Sequence, residues 1–150
     1  MKTQQIRPPG APLIQGLYAI GFGPLIGRLI LLLTTTGRKS GHPRVTPLQY
    51  EQVGEDYYVG SSRGSRADWY RNICANPRVT VRVKSKRFVG IGETVEDPER
   101  IADFLELRLE RHPTIMARIM AMEGLPAMPT REQLLEYAKS LTMVIIHPES

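Results

Sequence analysis

The chain has 150 residues, of which 41% are hydrophobic and 23% charged, and it carries a net charge of +5. This composition is typical of a globular domain with its own core, and it excludes a wholly disordered chain. We therefore expect one domain over residues 1–150. The single cysteine, Cys74, excludes an internal disulfide framework, favours a cytoplasmic location and is interpreted as a buried structural thiol.

Basic charge is concentrated in the middle of the chain. Between Arg28 and Arg87 there are twelve Lys and Arg residues against four Asp and Glu. Such an excess indicates either an anionic ligand near this segment or a solvated basic face. No nucleic-acid-binding motif accompanies it, so nucleic acid is not an expected partner. The three histidines are scattered without the spacing of metal ligands, and no metal site is predicted.

The N-terminal region is the most apolar part of the sequence. Residues 1–10 are polar and predict a flexible start, and residues 11–28 predict an amphipathic helix. The run from Pro12 to Leu33 contains Arg28, Pro24 and four glycines, which makes it a poor membrane-spanning helix. The helix could instead lie on a membrane surface or cover one mouth of a barrel, so the expected location is cytoplasmic, with membrane association as an option.

Short strands separated by turns follow this region. The segment from Arg78 to Lys84 alternates valines with polar residues, which predicts a strand with one buried face. Similar patterns predict strands at Leu29–Thr36, Pro43–Val53, Tyr57–Ser62, Arg87–Val95 and Leu141–Ile146, with turns at Gly37–Gly41 and Ser85-Lys86. About six short antiparallel strands with flanking helices indicate an α+β protein whose strands close into a small barrel.

Capping signals predict the helices. Asp68 is expected to cap a short helix over Trp69–Ala75 that stops at Asn76-Pro77. Asp97-Pro98 opens a second helix, Pro113 a third, and Thr130 with Gln133 forms a capping box before a fourth. His147-Pro148 is expected to stop the last strand.

Three polar segments are candidates for ligand binding. The turn Gly37–Gly41 carries two cations and a hydroxyl between glycines, which suits a phosphate or carboxylate, although such a turn is often only a soluble loop. The loop Ser61–Arg66 places hydroxyls and amides before a helix N-terminus. The helix that follows offers Trp69 and Tyr70, interpreted either as support for a flat ring or as one core aromatic and one exposed tyrosine. Spacing identifies no catalytic residue, which is typical of an enzyme whose cofactor carries the chemistry.

Three stretches together resemble a known family. LLLTTTGRKSGHPRVTPL, YYVGSSRG and DWYRNICANPRVTVRV, at Leu31–Leu48, Tyr57–Gly64 and Asp68–Val83, resemble the deazaflavin-dependent nitroreductase family of split β-barrel flavin and deazaflavin oxidoreductases. The resemblance implies an FMN-binding split-barrel-like fold that binds coenzyme F420, an 8-hydroxy-5-deazaflavin whose tail holds a phosphate and several glutamates. Hydride would pass from the reduced ring to an electrophilic apolar substrate such as a quinone, an enone or a nitro compound.

The resemblance also implies roles for particular residues. The tail-binding turn would comprise Arg38, Lys39 and Ser40, and the strand beside the ring Arg44, Val45, Thr46, Pro47 and Leu48. The phosphate-binding loop would comprise Ser61, Ser62, Arg63 and Gly64, and the helix that closes the site Trp69, Tyr70 and Asn72. Arg38 and Lys39 are both expected on an exposed turn, where replacement should spare the fold.

The sequence departs from better-known members of the family at the substrate side. Ile115 stands where some members place a tyrosine, and it cannot donate a proton. The Met-rich region after it is either an adaptable lid or a plain core helix. Two alternatives to the F420 enzyme therefore remain: an FMN-dependent oxidoreductase on the same fold, and a non-catalytic carrier of a deazaflavin, haem or fatty acid. A homodimer is a further expectation.

Overall fold

The computed structural model describes residues 30–61 and 64–149, which form one antiparallel sheet with helices packed against it. The strands are β1 (Ile30–Thr36), β2 (Pro43–Gln49), β3 (Glu51–Val53), β4 (Asp56–Ser61), β5 (Arg78–Val83), β6 (Lys86–Val95) and β7 (Thr142–Pro148). The helices are α1 (Asp68–Ala75), α2 (Pro98–Arg111), α3 (Pro113–Met122) and α4 (Arg131–Ala138), with a short 3₁₀ turn at Gly64–Arg66. The predicted helix over 11–28 and the flexible start lie outside the described residues, so a single domain over 1–150 stays a prediction.

The order of the strands makes the sheet curl. The sheet runs β2-β1-β5-β6-β7-β4-β3, so β2 and β3 are its two edges. These two edge strands are consecutive in the chain and are joined by Tyr50 alone. The edges must therefore lie next to each other, and the sheet closes on itself as the sequence predicted.

The predicted strand Pro43–Val53 is wrong as a single element. The chain changes partners at Tyr50: β2 pairs with β1, whereas β3 pairs with β4. Tyr50 is buried at this corner, where its ring lies 5.7 Å from that of Tyr57. This division accounts for seven described strands where about six were expected.

Two apolar clusters form the core. One fills the inside of the curled sheet, and the other lies between the sheet and α2, α3 and α4. β7 contributes to both clusters because its side chains alternate between the two faces of the sheet. Val144 and Ile146 belong to the first cluster, and Met143 and Ile145 to the second. The buried alternation predicted for Val79, Val81 and Val83 is confirmed.

The helix signals are largely confirmed. The Asp97 side chain accepts a hydrogen bond from the Glu99 N–H, and Thr130 and Gln133 form a reciprocal capping box. Asp68 is not a cap, because α1 begins at Asp68 itself and Ala67 stands at the capping position without a side-chain bond. Met116 and Met120 are buried, whereas Ile115 is 40% exposed.

Two further expectations are wrong. Cys74 is exposed rather than buried, since it lies on the face of α1 turned away from the sheet. The β5–β6 turn is at Lys84-Ser85 rather than Ser85-Lys86, with Lys84 at a φ of 55°. Among the described residues, no helix is long and apolar enough to cross a membrane.

β7 does not stop before His147-Pro148. His147 pairs with Ile91 and Pro148 with Gly90 as the last ladder positions, and a terminal proline is compatible with a strand end. The ring of His147 lies between two carboxylates, with Nδ1 3.0 Å from Asp56 and Nε2 2.9 Å from Glu93. It therefore links β4, β6 and β7 at one end of the sheet.

This link makes stability depend on pH. The hydrogen bond to Glu93, helped by Asp56, raises the pKa of His147 above 6.5, and the bond from His147, helped by Arg100, lowers the pKa of Glu93 below 4.5. Stabilisation by His147 is complete below pH 6.5 and is lost as pH rises through its raised pKa. Stabilisation by Glu93 is present above pH 4.5 and is lost as pH falls through its lowered pKa.

We expect His147→Gln to destabilise the fold mainly between the lowered pKa of Glu93 and the raised pKa of His147. The difference from wild type in urea unfolding should be larger near pH ~5.5 than near pH ~8, and below about 1 kcal/mol because these side chains are more than a third exposed. A difference that stays constant across this range would contradict the assignment.

Candidate functional site

The closure of the sheet leaves a seam between two strand edges. Within residues 30–61 and 64–149, β2 pairs only with β1, so no described strand covers its other edge. On β4, the short strand β3 pairs with Asp56 to Tyr58, and no described strand pairs with Val59–Ser61 on that side. β2 and β4 contact each other across this gap. Backbone N–H and C=O groups along the seam therefore belong to no ladder among the described strands, and such groups can bind the polar edge of a flat ligand.

A cavity of about 340 Å³ lies at this seam. Its floor includes Pro47 and Leu48 of β2 and Ser61 of β4, and its roof is formed by α2, α3 and α4. Met116, Ile119, Met120 and Met122 make the roof mostly apolar and deformable. A mostly apolar cavity with few polar groups is the usual form of a small-molecule site. The Met-rich helix thus belongs to both the core and the cavity, whereas Ile115 does not line it.

Hydrogen bonds join the basic turn to α1. Asn72 is 3% exposed, and its Oδ1 accepts hydrogen bonds from the Arg38 backbone N–H (3.2 Å) and from Arg38 Nη1 (2.8 Å). Arg38 Nη2 also donates to Asp68 Oδ1 at 3.1 Å, and Asn72 Nδ2 donates to Thr35 Oγ1 at 3.1 Å. Arg38 therefore lies on an exposed turn, as expected, and its side chain also joins that turn to α1, while its role in binding a tail stays a prediction.

Lys39 differs from Arg38 in its contacts. It is exposed at the tip of the turn and makes no hydrogen bond or ion pair with the described residues. Gly37 allows the turn to close tightly, because a Cβ there would lie 2.9 Å from Ser40 Oγ and 3.1 Å from the His42 carbonyl oxygen. The turn therefore presents Lys39 outward at the start of β2.

The loop after β4 is fixed at its two described ends. Ser61 Oγ donates to the Gly64 carbonyl oxygen at 3.0 Å, so the hydroxyl proton of Ser61 is already engaged. Gly64 has a φ of 60°, and a Cβ there would lie 2.9 Å from the Ser140 carbonyl oxygen. No other residue fits this approach without a shift of the backbone. Ser62 and Arg63 lie outside the described residues.

The aromatic residues of α1 face the core. Trp69 is 8% exposed and Tyr70 2% exposed, so the alternative with an exposed tyrosine is wrong. The Tyr70 hydroxyl donates to Glu96 Oε2 at 2.9 Å, and burial together with Glu96 raises the pKa of Tyr70. Neither ring lines the cavity. Their described role is to hold α1 against the sheet.

Part of the predicted site follows β2 from the basic turn to the cavity. Pro47, Leu48 and Ser61 meet at the cavity, Arg44, Val45 and Thr46 continue along β2, and Arg38, Lys39 and Ser40 precede that strand. From Pro47 to Pro43 the strand extends about 13 Å at 3.3 Å per residue. A long ligand could therefore place its ring in the cavity and its acidic end near Lys39.

The sequence does not predict the polar cluster beside the roof of the cavity. Arg108 lines it, donates to Gln49 Oε1 at 2.6 Å, and pairs with the buried Glu51 at 3.3 Å. Arg111 and His112 approach the same carboxylate at 3.3 Å and 3.1 Å. Burial lowers the pKa of Arg108, and Glu51 opposes that effect. Glu51, near the end of a predicted strand, is the one sign of this cluster in the sequence. Its partners on α2 and at His112 cannot be recognised from the sequence because they lie 57 to 61 residues away.

Comparison with known proteins identifies the family. A sequence model described as F420H(2)-dependent quinone reductase matches residues 19–126, most of the chain. The chain belongs to this family. The resemblance to deazaflavin-dependent enzymes is thus confirmed, with quinone reductase in the family description where the sequence suggested nitroreductase.

Individual relatives agree with this family. An F420H(2)-dependent quinone reductase of Mycobacterium tuberculosis is 40% identical over 74 residues, which are 46% of this chain and 50% of the relative. The chain thus spans about half the length of the curated relatives it matches. The structure of an F420-H2 dependent reductase has a TM-score of 0.54 at 26% identity, covering 80% of this chain and 95% of that one.

More distant structures agree on the fold. One described as a domain-swapped dimer has a TM-score of 0.56 at 25% identity, covering 91% of this chain and 96% of that one. A haem storage protein from Vibrio cholerae has a TM-score of 0.54 at 19% identity, covering 93% and 90%. At that identity the likeness shows the fold alone. The predicted split β-barrel is confirmed.

Proposed function

We propose that this protein is an F420H2-dependent reductase that transfers a hydride to a quinone. The observation that carries the proposal is the apolar cavity at the seam. It opens on the edge of β2 that no described strand covers, while Lys39 stands at the other end of that strand. Membership of the F420H(2)-dependent quinone reductase family supports both the cofactor and the acceptor. Reduced cofactor and quinone give oxidised cofactor and quinol, so two electrons and two protons move and no further reagent is required.

The chain's own residues would bind and orient the two reactants. The ring would lie against Arg44–Leu48, with backbone groups of β2 binding its polar edge. The phosphate would lie near the loop at Ser61–Gly64, and the acidic tail near Lys39 and Ser40. Trp69, Tyr70 and Asn72 would act indirectly, since Asn72 holds the turn through Arg38. When bound, the cofactor supplies the hydride, and the methionines of α3 exclude water from the reacting pair.

The direct test is acceptor-dependent oxidation of reduced F420. Purified protein is mixed with the reduced cofactor and 2-methyl-1,4-naphthoquinone, and deazaflavin absorbance is followed over time. The proposal predicts oxidation that saturates with quinone, and a nitroaromatic and an enone are run as competing acceptor classes. Binding of F420 without turnover of any acceptor would favour a carrier, and turnover with reduced FMN alone would favour the flavin alternative.

We also propose contact with an anionic membrane surface as a property of the same enzyme. Lys84, Lys86 and Arg87 are exposed at the β5–β6 hairpin, and Arg82 lies opposite Arg87. The pairing of Leu32 with Arg82 brings the start of β1, which follows the apolar N-terminal segment, to this hairpin. Flotation with vesicles containing anionic lipid tests this, and equal flotation with neutral vesicles would contradict it.

We also propose a homodimer, which the domain-swapped neighbour suggests. Sedimentation of the purified protein tests this proposal.

A further inference from the structure

One polar atom in the cavity wall has no partner among the described residues. Thr142, the first residue of β7, is 5% exposed and lines the cavity. Among the described residues, its Oγ1 is the one buried side-chain nitrogen or oxygen without a hydrogen bond. Buried hydroxyls are nearly always paired, because leaving one unpaired lowers the stability of the fold.

Neighbouring hydroxyls are satisfied within the protein. Ser61, which pairs with Thr142 across the two strands, donates its hydroxyl to Gly64, and Thr35 accepts a hydrogen bond from Asn72. Ser61 and Thr142 both line the cavity, but only the Thr142 hydroxyl has no hydrogen-bond partner among the described residues. A valine has nearly the same shape and would fill this position without an unpaired group. The packing of β7 therefore does not account for the hydroxyl.

We propose that Thr142 Oγ1 donates a hydrogen bond to a ring carbonyl of the ligand that occupies the cavity. The inference rests on the proposed function, since both a quinone and the deazaflavin ring carry carbonyl oxygens on a flat conjugated ring. If the acceptor is the quinone oxygen, the bond strengthens as negative charge develops there during hydride transfer. The hydroxyl donates a hydrogen bond and keeps its proton, so the stoichiometry of the reaction is unchanged.

The test uses Thr142→Val, with Thr142→Ser as the conservative variant. Loss of an unpaired hydroxyl should leave the thermal midpoint of the unliganded Val variant equal to or above that of wild type, whereas ligand affinity should fall about tenfold. The Ser variant keeps the donor and should retain most of the affinity. Thr80→Val, at a partly exposed site on β5 outside the cavity wall, is the matched control and should change neither quantity.

Two measurements distinguish the two sources of the carbonyl. Weaker binding of oxidised F420 to the Val variant would assign the bond to the cofactor ring. Unchanged F420 binding with a raised KM or lowered kcat for 2-methyl-1,4-naphthoquinone would assign it to the substrate. Both outcomes support the proposal. Wild-type F420 binding and wild-type kinetics in a folded Val variant would overturn it.

Calorimetric titration with the naphthoquinone alone separates this inference from the proposed function. Weaker binding of the quinone to Thr142→Val would support the hydroxyl's role even if wild-type protein failed to oxidise reduced F420, and in that case only the proposed function would fall. If wild-type protein oxidises reduced F420 and the Val variant does so equally well, the proposed function stands and the role of Thr142 falls.

Discussion

Asn72→Ala should lower the free energy of unfolding by about 3 kcal/mol, as measured by urea denaturation. The side chain is 3% exposed and joins three segments, accepting two hydrogen bonds from Arg38 and donating one to Thr35. Its loss leaves the buried Thr35 hydroxyl and the Arg38 backbone N–H without partners. Because the same bonds hold the basic turn beside β2, F420 binding should weaken as well.

Asn76→Ala is the matched control for this prediction. Asn76 follows α1, is exposed, and its Oδ1 accepts one hydrogen bond from the Arg78 N–H at 3.2 Å. The same substitution should therefore cost less than about 1 kcal/mol and leave F420 binding unchanged. Equal costs at the two asparagines would show that the bonds of Asn72 to Arg38 and Thr35 do not stabilise the fold.

Glu51→Gln should be about as costly, near 3 kcal/mol, although it preserves the shape of the side chain. Glu51 is 4% exposed and faces Arg108, Arg111 and His112, so its carboxylate joins the edge strand β3 to the junction of α2 and α3. Removal of its charge leaves Arg108, whose side chain is 15% exposed, without a counter-ion. Arg108 lines the cavity, so quinone turnover should fall even where the variant remains folded.

Glu99→Gln gives the corresponding control on α2. Glu99 pairs with Arg131 at 2.9 Å, but its side chain is 67% exposed, and Arg131 also contacts Asp103 and Glu106. This substitution should cost well under about 1 kcal/mol. The Glu51→Gln cost should also shrink when Arg108 is replaced by methionine in the same chain, because no uncompensated charge is then buried. A fully additive double variant would contradict this electrostatic explanation.

The sequence predicted the elements that depend on local chemistry. Period-two valines located β5, and the Thr130–Gln133 pair located the start of α4, because both signals involve residues a few positions apart. The division of Pro43–Val53 was missed because Tyr50 is buried by contacts with another strand, which its neighbours do not reveal. The sequence predicts that the last strand ends before His147-Pro148. Only the pairing of β7 with β6 shows that a proline fits at the end of this strand.

The site was predictable only along the chain segments that resemble the family. Those segments include Pro47, Leu48 and Ser61, which meet at the cavity. The internal role of Arg38 depends on Asn72, 34 residues away, and the roof of the cavity depends on helices packed over the sheet. Nothing in the sequence points to Thr142, because a threonine at the start of a strand is common and only the structure shows that its Oγ1 has no partner among the described residues.

The measurement that tests the central claim most directly is a fluorescence titration of the protein with oxidised F420, with FMN titrated in parallel. We predict F420 binding with a Kd of about 1 µM or lower, weakened by salt and by Lys39→Ala, and much weaker binding of FMN. Lys84→Ala, an exposed lysine on the β5–β6 hairpin away from the seam, should leave the Kd unchanged. Binding of FMN alone, or of neither cofactor, would contradict the assignment of the seam as a deazaflavin site.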